Sequence, residues 1–153
     1  LVQFPFQDGS VIFTSFHNEK QNSETERQLL RYLVFTTVTA QTDAKVKRTM
    51  VRGGFSPVDR NLLSASPKDQ SVTRSYNNPG RRNLQFVLGF EKRGAELRLT
   101  VIGPDGRREE KSGTSTFTID VPQAAKGEWK YTITSVKVPY ENFPFRLDIG
   151  QKR

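Results

Sequence analysis

From residue 84 onward the chain alternates. Leu84, Phe86, Leu88 and Phe90 are spaced by two, as are Leu97, Leu99 and Val101, then Phe117, Ile119 and Val121, then Trp129, Tyr131 and Ile133, and finally Phe143, Phe145, Leu147 and Ile149. A period of two puts each set on one face of a strand. Turn residues separate the five sets, Gly103-Pro104-Asp105-Gly106 among them. The pattern predicts a mainly β chain, with an antiparallel β-sandwich of Ig-like or jelly-roll type as its core over 84–150. Trp129, Tyr131, Phe143 and Phe145 fall on the strand phase and are expected in that core, not on a sugar-stacking platform.

The first 40 residues read differently. Ser10-Val11-Ile12-Phe13-Thr14-Ser15-Phe16 is β-branched and aromatic on both phases, the mark of a strand covered on two faces, and the turn signal Asp8-Gly9 precedes it. Ser23-Glu24-Thr25-Glu26 is a capping box. A helix over about 23–37 follows, with Leu29, Leu30, Leu33 and Val34 on one stripe and Glu24, Arg27, Gln28 and Arg31 on the wet side.

Between these regions Gly53-Gly54, Pro57, Pro67 and Asn77-Asn78-Pro79-Gly80 punctuate the chain. Candidate strands run from Lys45 to Val51 and from Ser71 to Tyr76, and Leu62-Leu63 read as anchors of a long loop. The expected organisation is a strand plus helix over 1–40, the remnant of an α/β domain, then an irregular basic connection over 41–83. The sandwich over 84–150 recruits strands from 45–76. One strand and one helix thus precede the sandwich.

Composition narrows the chemistry. Hydrophobic residues make up 34% of the 153, yet 11 Phe, 4 Tyr and 1 Trp supply a core. Cysteine is absent, which excludes disulfides and thiolate chemistry, and a single His excludes any site built on two imidazoles. No cofactor or metal is expected. The longest apolar stretch, Leu84 to Phe90, falls far short of the roughly 20 residues of a membrane helix, so no span is expected. The chain begins with Leu, and its one Met is Met50, so it is expected to be a processed product or a piece of something longer.

Phe16-His17-Asn18-Glu19 is the one segment with a catalytic look, because a carboxylate two residues from an imidazole can orient it as a general base. Strand, motif and capped helix together resemble the closing part of class I glutamine amidotransferase-like domains, where Phe-His-Pro-Glu ends a late strand; here Asn18 replaces the proline. The resemblance implies His17 as base and Glu19 as orienter. The family's cysteine nucleophile has no counterpart in this chain. The expectation is therefore a relic without catalysis, or the C-terminal part of an amidotransferase-like hydrolase.

A second stretch runs through Leu97 to Gly106, Phe117 to Pro122 and Gly127-Glu128-Trp129-Lys130-Tyr131. It resembles the Ig-like β-sandwich domains that accompany von Willebrand A-type modules and secreted peptidases. The resemblance implies an accessory or adhesive role, usually outside the cytoplasm.

Net charge is +8, and it is concentrated: residues 45–108 hold 14 Lys and Arg against 5 Asp and Glu. Arg81-Arg82, Lys92-Arg93 and Arg107-Arg108 stand between predicted strands and are expected to gather at the sandwich ends. Such a patch suits an acidic protein partner, or a polyanion as the alternative. No helix with a basic face is expected, which argues against nucleic acid; contact with a membrane surface stays open. Asp105 has no second carboxylate near it and Arg52-Gly53-Gly54 lacks a following Gly-Lys-Ser/Thr, so both read as turns and not as a calcium or phosphate site.

The reading is a non-enzymatic structural or protein-interaction module. Its expected contact residues are Val11, Phe13, Phe16, Leu29 and Leu33 in the apolar N-terminal part, with Arg81, Arg82, Lys92, Arg93, Arg107 and Arg108 in the basic part.

Overall fold

Eight strands build the sandwich that the alternation predicts. They are β3 (Ser56–Ala65), β4 (Ser71–Asn78), β5 (Arg82–Phe90), β6 (Glu96–Ile102), β7 (Arg108–Gly113), β8 (Phe117–Ala124), β9 (Gly127–Lys137) and β10 (Phe143–Lys152). The computed structural model describes residues 39–65, 71–90 and 94–152 in full, and residues 2–6 and 9–13 in their backbone. The chain divides into two units, Leu1–Gln41 and Thr42–Arg153.

In the first unit, β1 (Val2–Phe6) and β2 (Gly9–Phe13) form an antiparallel hairpin with Val2 opposite Phe13 and Phe6 opposite Gly9. The sequence predicts only the second of these strands and leaves its partner open. The partner is the adjacent segment, because a short connection costs little loop-closure entropy. The expected helix over 23–37 lies outside the described residues.

In the second unit the strands pair as a nested series: β3 with β10, β4 with β9, β5 with β8 and β6 with β7, all antiparallel. Pairing of β10 with β5 and of β9 with β6 then joins them into two sheets, ordered β3-β10-β5-β8 and β4-β9-β6-β7. A long hairpin wrapped into two four-stranded sheets is the jelly-roll arrangement, which settles the choice between the two sandwich types.

The inward faces carry the predicted sets. Leu84, Phe86 and Leu88 of β5, Leu97, Leu99 and Val101 of β6, Trp129, Tyr131 and Ile133 of β9, and Phe143, Phe145, Leu147 and Ile149 of β10 are buried in one cluster. Phe86 sits between Trp129 and Tyr131, with ring centroids at 6.4 and 6.0 Å. The Trp129 indole N–H donates to the Ala125 carbonyl at 2.9 Å, so the largest core side chain leaves no donor unpaired. Burial pushes the Tyr131 phenol up to about 12.

Three local expectations change. Residues 39–52 are helical (α1), not a strand over 45–51. Leu62 and Leu63 belong to β3, a ten-residue edge strand, and not to a loop. The third, β7, reads Arg-Glu-Glu-Lys-Ser-Gly and shows no apolar alternation, because an edge strand exposes most of its side chains. Gly103-Pro104-Asp105-Gly106 is the turn it was expected to be: Gly106 N–H donates to Gly103 O at 3.1 Å, and the Asp105 carboxylate accepts from Arg107 N–H at 3.2 Å.

Candidate docking face

Strands β5 and β10 carry mostly small or polar residues on their second phase, with Val87 the apolar one in β5, and α1 packs on that phase. Thr42, Val46 and Met50 recur at i, i+4 and i+8, which makes one buried stripe on a helix. Val46 and Met50 form a cluster with Val87 of β5, and Phe55 packs against it. Close approach depends on Gly89, where a Cβ would collide with the Val46 Cγ2 methyl, and on Gly150, where one would lie 2.9 Å from Phe55 Cβ. From Leu84 to Phe90 every residue is therefore buried, inward phase and outward phase alike.

The helix ends in a Schellman motif. Phe55 N–H donates to Met50 O and Gly54 N–H to Val51 O, both at 3.0 Å, and Gly54 takes a φ of +71°. The accompanying apolar contact joins Phe55 to the Met50 cluster. Arg52-Gly53-Gly54 is thus a helix stop. The Lys152 ammonium donates to the Gly53 carbonyl at 3.2 Å and stands 5.9 Å from the centre of the Phe55 ring.

A charged chain tethers α1 to the sheet. Asp43 of the helix meets Arg146 of β10 at 2.7 Å, and the Arg146 Nε–H donates to Asp148 at 2.8 Å. Arg60 of β3 approaches the other Asp148 oxygen at 3.9 Å. Burial raises the Asp148 pKa above its ordinary value, against the opposing pull of Arg146 and Arg60. These pairs use up the acidic side chain that α1 contributes to the second unit.

What α1 leaves to solvent is cationic. Lys45, Lys47, Arg48 and Arg52 are exposed, and Val51, 66% exposed, lies among them. The helix's acid, Asp43, lies one turn before Lys47 with its side chain 46% exposed and is paired with Arg146. Arg48 and Arg52 occupy the last turns, where positive charge also complements the helix dipole. On the sheet that carries α1, Leu62 of β3, 40% exposed, stands opposite Arg146 in register. This overturns the expectation that the chain has no helix with a basic face. The signal was present in the spacing of Thr42, Val46 and Met50 opposite Lys45, Arg48 and Arg52, followed by Gly53-Gly54. β-branched Thr42, Val46, Thr49 and Val51 masked it as a strand.

The arginines expected at the sandwich ends are placed as follows. Arg81 is exposed in the turn before β5, and Arg82 stands opposite Ala124. Arg107 reaches the same end: it donates to the Pro122 carbonyl at 3.1 Å and to Glu109 at 3.0 Å. Arg108 donates to Glu110 at 2.8 Å, and these hydrogen bonds from Arg108 and Thr100 lower the Glu110 pKa. Glu109 and Glu110 thus compensate Arg107 and Arg108, and the end is less basic than the sequence implies. Lys92 and Arg93 lie outside the described residues, as do Phe16, His17, Glu19, Leu29 and Leu33. Val11 and Phe13 are described only in their β2 backbone.

Among the described residues no group of three His, Cys, Asp or Glu side chains is placed to hold a metal ion. No helix among them is long and apolar enough to cross a membrane.

No family model and no curated protein matches the chain. Solved structures give distant likenesses. A protein from Sulfurospirillum deleyianum aligns at 8% identity and a TM-score of 0.40, over 63% of this chain and 99% of its own. A carbohydrate-binding module in complex with β-1,4-galactotriose aligns at 14% and 0.36, over 65% and 86%. Drosophila melanogaster CENP-C, bound to CAL1, aligns at 7% and 0.32, over 83% and 99%. At these TM-scores none of them bears on what this chain binds.

Proposed function

We propose that the chain is a non-enzymatic protein-interaction module whose docking face is the solvent side of α1 together with the adjoining flank of β3. The observation that supports this reading is the composition of that face: four cations against one acid, Asp43, which is paired with Arg146, and exposed Val51 and Leu62. Apolar side chains set among charges are what a protein interface offers, with desolvation at its centre and polar contacts at its rim. The sandwich acts as a rigid platform, and the Asp43–Arg146–Asp148 chain fixes the helix on it.

The test is co-purification with tagged chain, compared between wild type, the double variant Arg48→Glu/Arg52→Glu and the control Lys130→Glu. Lys130 is exposed on β9, in the opposite sheet. Partners retained by wild type and by the control, and lost with the double variant, support the reading. Equal retention by all three overturns it.

A further inference from the structure

Resting on that reading, we infer that the partner contributes an acidic segment bearing apolar side chains, which lies along α1 with its carboxylates on Lys45, Arg48 and Arg52 and an apolar side chain over Val51. Charge complementarity carries the first half. Lys45, Arg48 and Arg52 recur at i, i+3 and i+7, which is one stripe of the helix, and at 1.5 Å per residue they span about 10 Å. Asp43, the helix's acid in this unit, keeps a side chain 46% exposed but pairs with Arg146 at 2.7 Å, and its spacing puts it off the stripe of Lys45, Arg48 and Arg52. A chain of net charge +8 also draws anionic segments in from a distance.

Val51 carries the second half. It stands 66% exposed, the highest value among the large hydrophobic side chains of the described residues, with cations on both sides of it along the helix. A nucleic acid backbone would cover the cations and leave that side chain against hydrated sugar and phosphate. A peptide with Leu or Ile among its acids buries it. The exposed side of α1 also presents no aromatic side chain for stacking on bases.

The experiment is fluorescence anisotropy with three labelled probes: a 16-residue peptide of Glu with interspersed Leu, a 16-residue peptide of Glu with Ser in those places, and a 16-base-pair duplex. Wild type is expected to bind the Glu/Leu peptide most tightly, with affinity falling about tenfold between 50 and 200 mM salt as screening sets in. Val51→Ser should weaken the Glu/Leu peptide several-fold and leave the Glu/Ser peptide unchanged. Arg48→Gln/Arg52→Gln should weaken both, whereas Arg48→Lys should retain them. Melting curves of the variants separate loss of contact from loss of fold. Tighter binding of the duplex, equal binding of the two peptides, or binding of no probe overturns the inference. Loss of co-purification in the charge-reversed variant, together with any of those outcomes, leaves the docking reading standing.

Discussion

Gly89 lies directly beneath Val46: a Cβ built at position 89 collides with the Val46 Cγ2 and comes within 2.9 Å of the Thr42 methyl. The helix can reach β5 only because that strand lacks a side chain there. Gly89→Ala should therefore destabilise the chain by about 1–3 kcal/mol, the usual range for overpacking. Val46→Ala should also destabilise, by opening space against Met50 and Val87. Together the two changes should cost less than the sum of the single ones, because each relieves the other. Additive losses in denaturant melts would show that the helix does not sit on Gly89.

Gly54 should tolerate no side chain. Its φ of +71° closes the Schellman motif, and an L-residue in that region costs about 1–2 kcal/mol. Gly54→Ala is expected to lower stability by that amount, measured by urea unfolding. Gly80→Ala is the control, since nothing lies within 4 Å of a Cβ there and its φ is not in the left-handed region; it should be near neutral.

Asp148 and Glu110 should titrate on opposite sides of their ordinary values. Burial raises Asp148 above 3.8, and hydrogen bonds from Arg108 and Thr100 lower Glu110 below 4.5. Asp148 holds its proton more tightly in the folded chain. Its contribution to stability is present in full below 3.8 and is lost as pH rises through the raised folded value. Glu110 contributes above 4.5, and its contribution is lost as pH falls through the lowered value. NMR titration of the two carboxyl carbons checks the order. Wild type should lose stability relative to Asp148→Asn as pH rises through the Asp148 midpoint; a constant difference would show that Asp148 does not titrate with folding.

Charge on β7 should keep the sheet edge unpaired. Arg108, Glu109, Glu110 and Lys111 cover an outer strand that would otherwise offer a row of backbone donors and acceptors to another chain. Arg108→Val/Glu110→Val is expected to drive self-association, seen by sedimentation velocity as species larger than wild type at equal concentration. A variant that sediments as wild type does would remove the charges as the cause.

The sandwich was legible in the chain because its inward sets are large and apolar while the residues between them are mostly small or polar, which writes a period of two from Leu84 to Ile149. Edge strands β3 and β7 were not, since β3 buries only Ala65 and β7 buries no side chain, whereas edge strand β8 buries Ile119 and Val121 and keeps the alternation. The docking face was the harder case. Lys45, Arg48 and Arg52 were visible as charge, but charge has no direction until the backbone gives it one. Only when Gly89 and Gly150 let a helix settle on β5 and β10, with Asp43 paired to Arg146, did those cations come to share one side. Local sequence determined which residues alternate and where the helix stops. Long-range packing decided that residues 39–52 are a helix and not a strand, because burying Val46 and Met50 against Val87 offsets what the β-branched residues cost a helix, about 0.7 kcal/mol each at most.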